Sequence, residues 1–278
     1  MIENIFDISS IRVEISFKSY EELRSLLSFY QKNSLYKINI PCKNNLKKEF
    51  LLNSIKISRE EYPNIDLVPH FSILHEFKRN RINTLNSFFE FLKYVKGLGC
   101  REVLLVSGSQ KRSTLDSAST LKHLENNILF CQNDFSIGVA FNPYLPNILF
   151  EQEIVKLEKK LQSGIVSSIW IQFGTNCELL ESRIEILKYI ISSKKYKYRN
   201  SDLKFIGSIL IPSKQFLARF KYRPWKGVYC SKKFLNSEEF ANSVVIHLLE
   251  IYKANKILPI IETDVSTQEK INKLKEII

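Results

Sequence analysis

The chain contains few of the residues that build linkers, disulfide frameworks or metal sites. Glycine and proline number 8 each among 278 residues, so linkers and low-complexity segments are scarce. The five cysteines are scattered, form no CxxC pair, and show no spacing with histidine that is typical of zinc. Carboxylates and histidines are too sparsely grouped to predict any other metal site. We therefore expect no metal and a reducing compartment.

Long apolar runs are also lacking. No run approaches the ~20 residues that span a membrane. The first residues, Met-Ile-Glu-Asn-Ile-Phe-Asp, do not include a basic segment followed by an apolar one, so no signal peptide is indicated. No repeat of the solenoid type is evident. We expect a cytoplasmic protein without a membrane segment.

The positive charge of the chain is not concentrated in one block. The formal net charge is +12, and the basic residues are spread along a sequence rich in Lys, Asn and Ile, as an AT-rich coding sequence would produce. Two short segments, Lys194–Arg199 and Tyr222-Arg-Pro-Trp-Lys226, mix aromatic and basic residues and can in principle stack on bases. Because nucleic-acid binding usually requires clustered charge, it is the least favoured of the functions considered.

What the chain does contain is a series of eight short apolar segments, most of them followed by a helical pattern. Strands that alternate with helices pair in parallel, because a parallel partner requires a long crossover. Eight such units predict an α/β protein with a single closed (β/α)8 TIM barrel, for which ~250 residues are typical. No domain boundary is evident within residues 1–278. The predicted strands are Ile11–Phe17, Leu35–Ile40, Ile65–Phe71, Glu102–Val106, Phe135–Phe141, Val166–Phe173, Leu203–Ile211 and Lys256–Ile261.

Polar residues in and after these strands are the candidate site residues, because such barrels place their chemistry at the carboxyl ends of the strands. Glu14 lies mid-strand, where it serves either as a general acid at the barrel mouth or as half of a salt bridge in the lumen. His70, near the end of the third strand, either contacts a ligand or bonds a backbone carbonyl. Gln172 ends the sixth strand with an amide that needs partners. Gly108, after the fourth strand, permits close approach of a ligand to the backbone.

Five segments, taken in order along the chain, match the strand-end motifs of one enzyme family. The family motifs are Phe-Glu-Phe-Phe-Pro-Pro, Ala-Pro-His-Leu-Thr, Leu-Arg-Gly-Asp, Ile-Gly-Val-Ala with an aromatic residue and Pro, and Lys-x-x-x-Gly followed by Thr-Gln-Phe. Their counterparts here are Val13-Glu-Ile-Ser-Phe17, Val68-Pro-His-Phe-Ser72, Val106-Ser-Gly-Ser109, Ile137–Pro143, and Lys160–Gly164 followed by Ile171–Phe173. Over nearly its whole length, the chain thus resembles the methylenetetrahydrofolate reductase family.

The resemblance implies a flavoprotein of one-carbon metabolism and methionine biosynthesis. Such enzymes bind FAD at the barrel mouth, take a hydride from NAD(P)H, and reduce 5,10-methylenetetrahydrofolate to 5-methyltetrahydrofolate. It implies that Glu14 is the acid that opens the folate ring and that Gln172 holds the pterin. The cofactor contacts that it implies are His70, Gly108, Ser109, Ala140 and Lys160. The expected partners are a folate substrate and, as an open alternative, further copies of the chain.

The chain departs from the family pattern at several positions: the Pro-Pro after the first strand is absent, and Tyr144 replaces an acidic residue after the fifth. Ser107 and Ser109 replace an Arg and an Asp after the fourth strand, and Pro41 replaces a Thr after the second. Several FAD contacts are therefore missing or rebuilt. The alternative is a flavin-free barrel that binds folate or pterin, or an inactive homologue in one-carbon metabolism.

Overall fold

The computed structural model describes residues 5–42, 48–76, 80–107, 115–124, 135–193 and 203–278. Its strands are β1 (Arg12–Glu14), β2 (Lys37–Ile40), β3 (Asp66–Ser72), β4 (Glu102–Val106), β5 (Ser136–Phe141), β6 (Val166–Ile171), β7 (Lys204–Ile209) and β8 (Ile257–Ile261). They form one closed barrel of parallel strands in chain order, and β1 pairs with β8. The prediction of a (β/α)8 barrel is confirmed.

Helices follow the strands and pack around the barrel. They are α1 (Tyr20–Lys32), α2 (Lys48–Glu61), α3 (Ile73–Glu76), α4 (Arg81–Gly97), α5 (Ser117–Lys122), α6 (Asn147–Gln162), α7 (Cys177–Ser192), α8 (Lys214–Tyr222), α9 (Lys232–Asn236), α10 (Glu238–Ala254) and α11 (Gln268–Ile277), with a 3₁₀ turn at Ile8–Ser10. Among these described helices, none combines the length and the apolar character needed to cross a bilayer.

Helix α2 is absent from the sequence-based expectation, which places no helix between the second and third strands. Its buried face consists of Leu51, Ser54, Ile55 and Ser58, so serines interrupt the apolar stripe. Each serine hydroxyl donates to the carbonyl four residues earlier, at 2.7 Å for Ser54 and 2.8 Å for Ser58. These bonds satisfy the buried hydroxyls and allow polar residues to occupy a face that is usually apolar.

Alternation along the strands divides the side chains between the barrel lumen and the layer of helices. In β1, Val13 is fully buried with the outer core, whereas Arg12 and Glu14 lie on the lumen side. A separate apolar cluster, here called the lumen plug, fills the barrel lumen and consists of Val68, Leu104, Trp170, Ile206 and Ile260. The polar residues of the lumen therefore lie among a small apolar core that is distinct from the large outer one.

Gly138 on β5 makes room for the largest member of this plug. A Cβ atom built on Gly138 would lie 2.2 Å from Trp170 Nε1 and 2.6 Å from Ser168 Oγ, which no side chain can do without displacing them. The indole of Trp170 thus fills the space beside β5. The glycine in the Ile-Gly-Val-Ala segment has a packing reason within this barrel.

Candidate active site

A cavity of about 630 Å³ opens at the carboxyl ends of β1, β7 and β8. This is the end of the fold at which (β/α)8 enzymes carry out their chemistry, and the volume lies in the range of small-molecule sites. The segments after β7 and β8, helix α8 and the first turns of α11 form its walls. The charged residues that line it are Glu14, Glu262, Asp264, Arg219, Lys270 and Lys273.

Most of these charges are already paired within the protein. Asp264 accepts a hydrogen bond from Lys270; burial alone would raise the pKa of Asp264, but its hydrogen bonds, led by that one, hold the pKa below the ordinary value. Lys273 Nζ lies 2.6 Å from Glu238 Oε1. Within the described part of the chain, the exposed Arg219 guanidinium has no salt bridge. Arg219 is therefore the cavity cation best placed to meet an anionic ligand.

An aromatic wall faces these charges. The rings of Phe216, Phe220 and Trp225 have centroids 5.7 to 5.9 Å apart, and Trp225 is 43% exposed. A partly exposed indole held by two other rings offers a surface on which a planar group can stack. Trp225 belongs to the segment considered above for nucleic-acid binding, which stays an untested alternative; residues 194–199 of the other such segment lie outside the described residues.

Glu14 and His70 lie side by side at this end of the barrel. Glu14 Oε2 is 3.9 Å from His70 Nδ1, and the two side chains are 18% and 9% exposed. This separation is longer than a hydrogen bond, as catalytic contacts often are before a ligand binds. Glu14 lines the cavity and has a titratable neighbour, so both interpretations offered by the sequence, general acid and ionic partner, are compatible with its position.

A chain of hydrogen bonds continues from His70 into the lumen. His70 Nε2 lies 2.7 Å from Asn39 Nδ2, and Asn39 Oδ1 accepts from Arg12 Nη1 at 3.2 Å. Arg12 also bonds the carboxylate of Asp66 and donates to the Asp66 carbonyl oxygen at 3.1 Å. Asn39 is fully buried. Four polar side chains behind Glu14 are thus joined by direct contacts.

Trp170 of the lumen plug contacts the same chain. The Arg12 guanidinium lies 5.9 Å from the centroid of the Trp170 ring, and the rings of His70 and Trp170 meet edge to face at 6.4 Å. Trp170 Nε1 donates to Ser168 Oγ at 2.8 Å, and Ser168 in turn bonds Glu102. The indole therefore confines Arg12 and His70 from one side while its own polar group is satisfied.

Lys160 lies apart from the cavity, on helix α6. Its ammonium donates to the Ala140 carbonyl oxygen at 2.7 Å and lies 3.8 Å from Glu153 Oε1. Burial lowers the pKa of Lys160, and the attraction of Glu153 opposes this. These contacts explain Lys160 as half of a buried ion pair that also ties α6 to β5. Ala140 itself exposes its side chain near the end of β5.

The remaining sequence-predicted residues do not join the cavity. Gln172 follows β6. Its side-chain Oε1 accepts from the Phe173 backbone N–H at 2.9 Å, and its backbone N–H donates to the Phe141 carbonyl oxygen at 2.9 Å. Of the predicted site residues that the structure describes, only Glu14 lines the cavity, with His70 beside it. Gly108 and Ser109 lie outside the described residues.

Several residues of the site have no counterpart among the sequence candidates. Arg12 and Asn39 could have been found by alternation, since Arg12 stands two residues before Glu14 and Asn39 is a polar residue in an apolar strand. Glu262 directly follows β8, which is a strand-end signal as strong as that of Gln172. Arg219 carries no comparable signal, because only the packing of α8 over the mouth brings it to the cavity.

The described ranges contain no cluster of three or more His, Cys, Asp or Glu side chains that could hold a metal ion.

The comparisons with known proteins identify only the fold. Neither a protein-family model nor a curated protein sequence matches this chain. An aldo-keto reductase from Klebsiella pneumoniae, solved in complex with NADP and acetate, aligns over 96% of this chain and 85% of its own with a TM-score of 0.52 and 10% identity. An aldo-keto reductase from the same organism in complex with NADPH aligns over 96% and 84%, with a TM-score of 0.51 and 10% identity.

The assignment to the methylenetetrahydrofolate reductase family is therefore wrong. No family model supports it, and the two solved structures just described, which share the fold, are aldo-keto reductases. FAD as the cofactor has no support either, and the flavin-free folate or pterin alternative depended on the same resemblance. A folate partner stays an untested expectation with no other basis.

The matched motifs have structural explanations within this barrel. Gly138 accommodates Trp170, and Lys160 forms a buried pair with Glu153. Gly164 adopts a φ of +70° just after α6, a left-handed conformation that glycine adopts most readily. These three matched positions therefore have packing or backbone reasons that do not depend on a flavin or a folate.

Proposed function

We propose that this protein is a reductase that uses NAD(P)H to reduce a small carbonyl compound in the cavity at the ends of β1, β7 and β8. The observation that carries the proposal is the position of Glu14, a partly buried carboxyl group that lines the cavity and has His70 behind it. The NADP and NADPH bound by the two Klebsiella aldo-keto reductases support the choice of a nicotinamide cofactor.

The cavity walls fit such a cofactor. Phosphate groups require cations, and Arg219 is exposed at the cavity without a salt bridge to another described residue. Planar rings require an apolar face, and the partly exposed Trp225 provides one. Arg219 would therefore hold a phosphate and Trp225 a ring of the bound nucleotide.

Glu14 supplies the acid that carbonyl reduction needs. A reduced nicotinamide, when bound, would supply the hydride for the new C–H bond at the carbonyl carbon. In the same step the protonated Glu14 carboxyl group gives its proton to the carbonyl oxygen and becomes a carboxylate. Glu14 then regains a proton from solvent through the open cavity.

The first test is NADPH and NADH binding, measured by quenching of tryptophan fluorescence, followed by oxidation assays with a panel of aldehydes and ketones. We expect micromolar binding of at least one of the two nucleotides, ~1 μM to ~1 mM KM values being usual for enzymes. We expect Glu14→Gln to lower kcat by about 10²–10⁴-fold, because an amide cannot donate the proton. Nucleotide binding should change little, because Arg219 and Trp225 rather than Glu14 hold the nucleotide in this proposal.

Glu250→Gln is the matched control, because Glu250 is an exposed glutamate of α10 far from the cavity lining. It should leave kcat and nucleotide binding unchanged. If neither nucleotide binds the wild-type protein, or if Glu14→Gln retains full turnover, the proposed function is wrong.

A further inference from the structure

The hydrogen-bond partners of the Asn39 side-chain amide determine which of its two terminal atoms is the oxygen and which the nitrogen. The oxygen and nitrogen of an amide look alike, so their assignment must come from their partners. A guanidinium can only donate hydrogen bonds, so the Asn39 atom that meets Arg12 Nη1 at 3.2 Å must be the oxygen. The amide nitrogen of Asn39 therefore faces His70.

This orientation determines which nitrogen of His70 carries hydrogen. Asn39 Nδ2 is a donor and lies 2.7 Å from His70 Nε2, so His70 Nε2 must accept. The single ring hydrogen then resides on Nδ1, the nitrogen 3.9 Å from Glu14 Oε2. An imidazolium would place an N–H against the N–H of Asn39, and with Asn39 fully buried no water separates the two donors.

Arg12 is itself held in place, which prevents the amide from turning. Its guanidinium bonds Asp66 and the carbonyl oxygens of Ile38 and Asp66, the latter two at 3.4 and 3.1 Å. The ring of Trp170 covers it at 5.9 Å. Turning the Asn39 amide would bring its N–H groups against the guanidinium and its oxygen against a nitrogen that would then need hydrogen.

We infer that Arg12 and Asn39 are positioning residues that lock His70 as the Nδ1–H tautomer, so that His70 always presents a donor, and never an acceptor, to Glu14. The role of Glu14 as acid rests on the proposed function; the tautomer of His70 does not. In this arrangement His70 cannot take the proton of Glu14. It can only orient the carboxyl group and bond the carboxylate that remains after the proton has been given.

The test is ¹⁵N NMR of the full-length protein labelled at histidine, which contains four histidines. The His70 signals are assigned by their loss in His70→Gln. We expect the ¹⁵N shifts of a neutral imidazole ring. The Nδ1 shift should be that of a nitrogen carrying hydrogen, and the Nε2 shift that of a nitrogen without hydrogen. Hydrogen on Nε2, or averaged signals that indicate exchange between the tautomers, overturns the inference without recourse to any variant.

Asn39→Asp is the sharp variant, because a carboxylate of the same shape still accepts from Arg12 but can no longer donate to His70. We expect His70 Nε2 to gain hydrogen. Asn272→Asp, which adds the same charge on the exposed face of α11, should leave the His70 signals unchanged. Retention of the Nδ1–H tautomer in a folded Asn39→Asp protein contradicts the inference.

Kinetics separate the two proposals. If the protein is a reductase, Asn39→Asp should lower kcat by about 10²-fold and alter its pH profile while the KM for the nucleotide stays the same, because the change acts on the acid rather than on binding. If no reductase activity exists, the His70 spectra of wild type and Asn39→Asp still decide the tautomer.

Discussion

At the scale of single residues, the lumen of this barrel is determined by a glycine and an indole that occupy complementary space. Gly138 has no side chain, and the Trp170 ring takes the position that a Cβ would need. Trp170 in turn borders Arg12 and His70. A methyl group at position 138 would therefore displace Trp170 and, through it, Arg12 and His70.

Gly138→Ala should destabilise the protein by about 1–3 kcal/mol, the usual effect of forcing extra volume into a packed core. The expected signs are a lower urea midpoint and a shifted tryptophan emission. Gly97→Ala is the matched control, because a Cβ there has no neighbour within 4 Å at the end of α4. That change should be neutral or slightly stabilising. Equal effects of the two substitutions would contradict the packing argument.

Lys160 and Glu153 permit a test of whether the lysine is structural. Lys160→Met leaves the Glu153 carboxylate buried without its partner and should lower the free energy of unfolding by about 3 kcal/mol. The double variant Lys160→Met, Glu153→Met should recover most of that loss, since both buried charges are then gone. Denaturant unfolding measures both effects.

The same two variants decide the role predicted from the sequence. If Lys160 contacts a cofactor, the double variant should be stable and yet bind NADPH poorly. We expect unchanged nucleotide binding, because the ammonium is engaged by Ala140 and Glu153 and does not line the cavity.

At the scale of elements, the caps and the apolar periodicity predict α1, α4, α6, α7, α10 and α11, but not α2, α3, α5, α8 or α9. Helix α7 begins at Cys177 because Asn176 accepts from the Leu179 N–H at 2.9 Å. Six of the eight strands are shorter than predicted, whereas β4 has its predicted bounds and β3 its predicted length. β1 pairs only from Arg12 to Glu14, although the apolar run continues to Phe17, because buried apolar residues also extend into the loops.

The first turns of α11 depend on an ion pair at the cavity edge. The pKa of Asp264 lies below its ordinary value of 3.8, because the bond from Lys270 and other hydrogen bonds outweigh the effect of burial. A carboxyl group with a depressed pKa stabilises the fold above its unfolded pKa, and this stabilisation is lost as pH falls through the folded pKa.

Asp264→Asn should therefore lower the free energy of unfolding at pH ~7 and have progressively less effect as the pH falls through the folded pKa, where the wild-type carboxyl group also becomes protonated. Lys270→Met should give a similar dependence, because it removes the other half of the same pair. A loss that stays constant across this pH range would show that the ion pair is not its cause. Unfolding by urea, followed by circular dichroism, measures the differences.

At the scale of the whole molecule, the sequence predicted the barrel and one of its cavity residues, but not the cavity. The fold follows from local patterns that repeat eight times. Glu14 was found because a carboxylate in an apolar strand is conspicuous. The contact of Asn39 with His70 depends on the register between β2 and β3, and the position of Arg219 depends on how α8 lies over the mouth, so neither could be read from local pattern.

The pairing of β1 with β8, which closes the barrel, also determines when the site can form. Glu14 comes from the first strand, whereas Glu262, Asp264 and Lys270 follow the last, and β1 and β8 are joined through Arg12↔Ile260 and Val13↔Ile261. During synthesis on the ribosome β1 is made long before β8, so the cavity gains its second wall only after the segment that follows β8 has been made. A partly synthesised or partly unfolded chain therefore lacks the site entirely, rather than having a weaker form of it. Ligand binding should accordingly indicate that the barrel has closed.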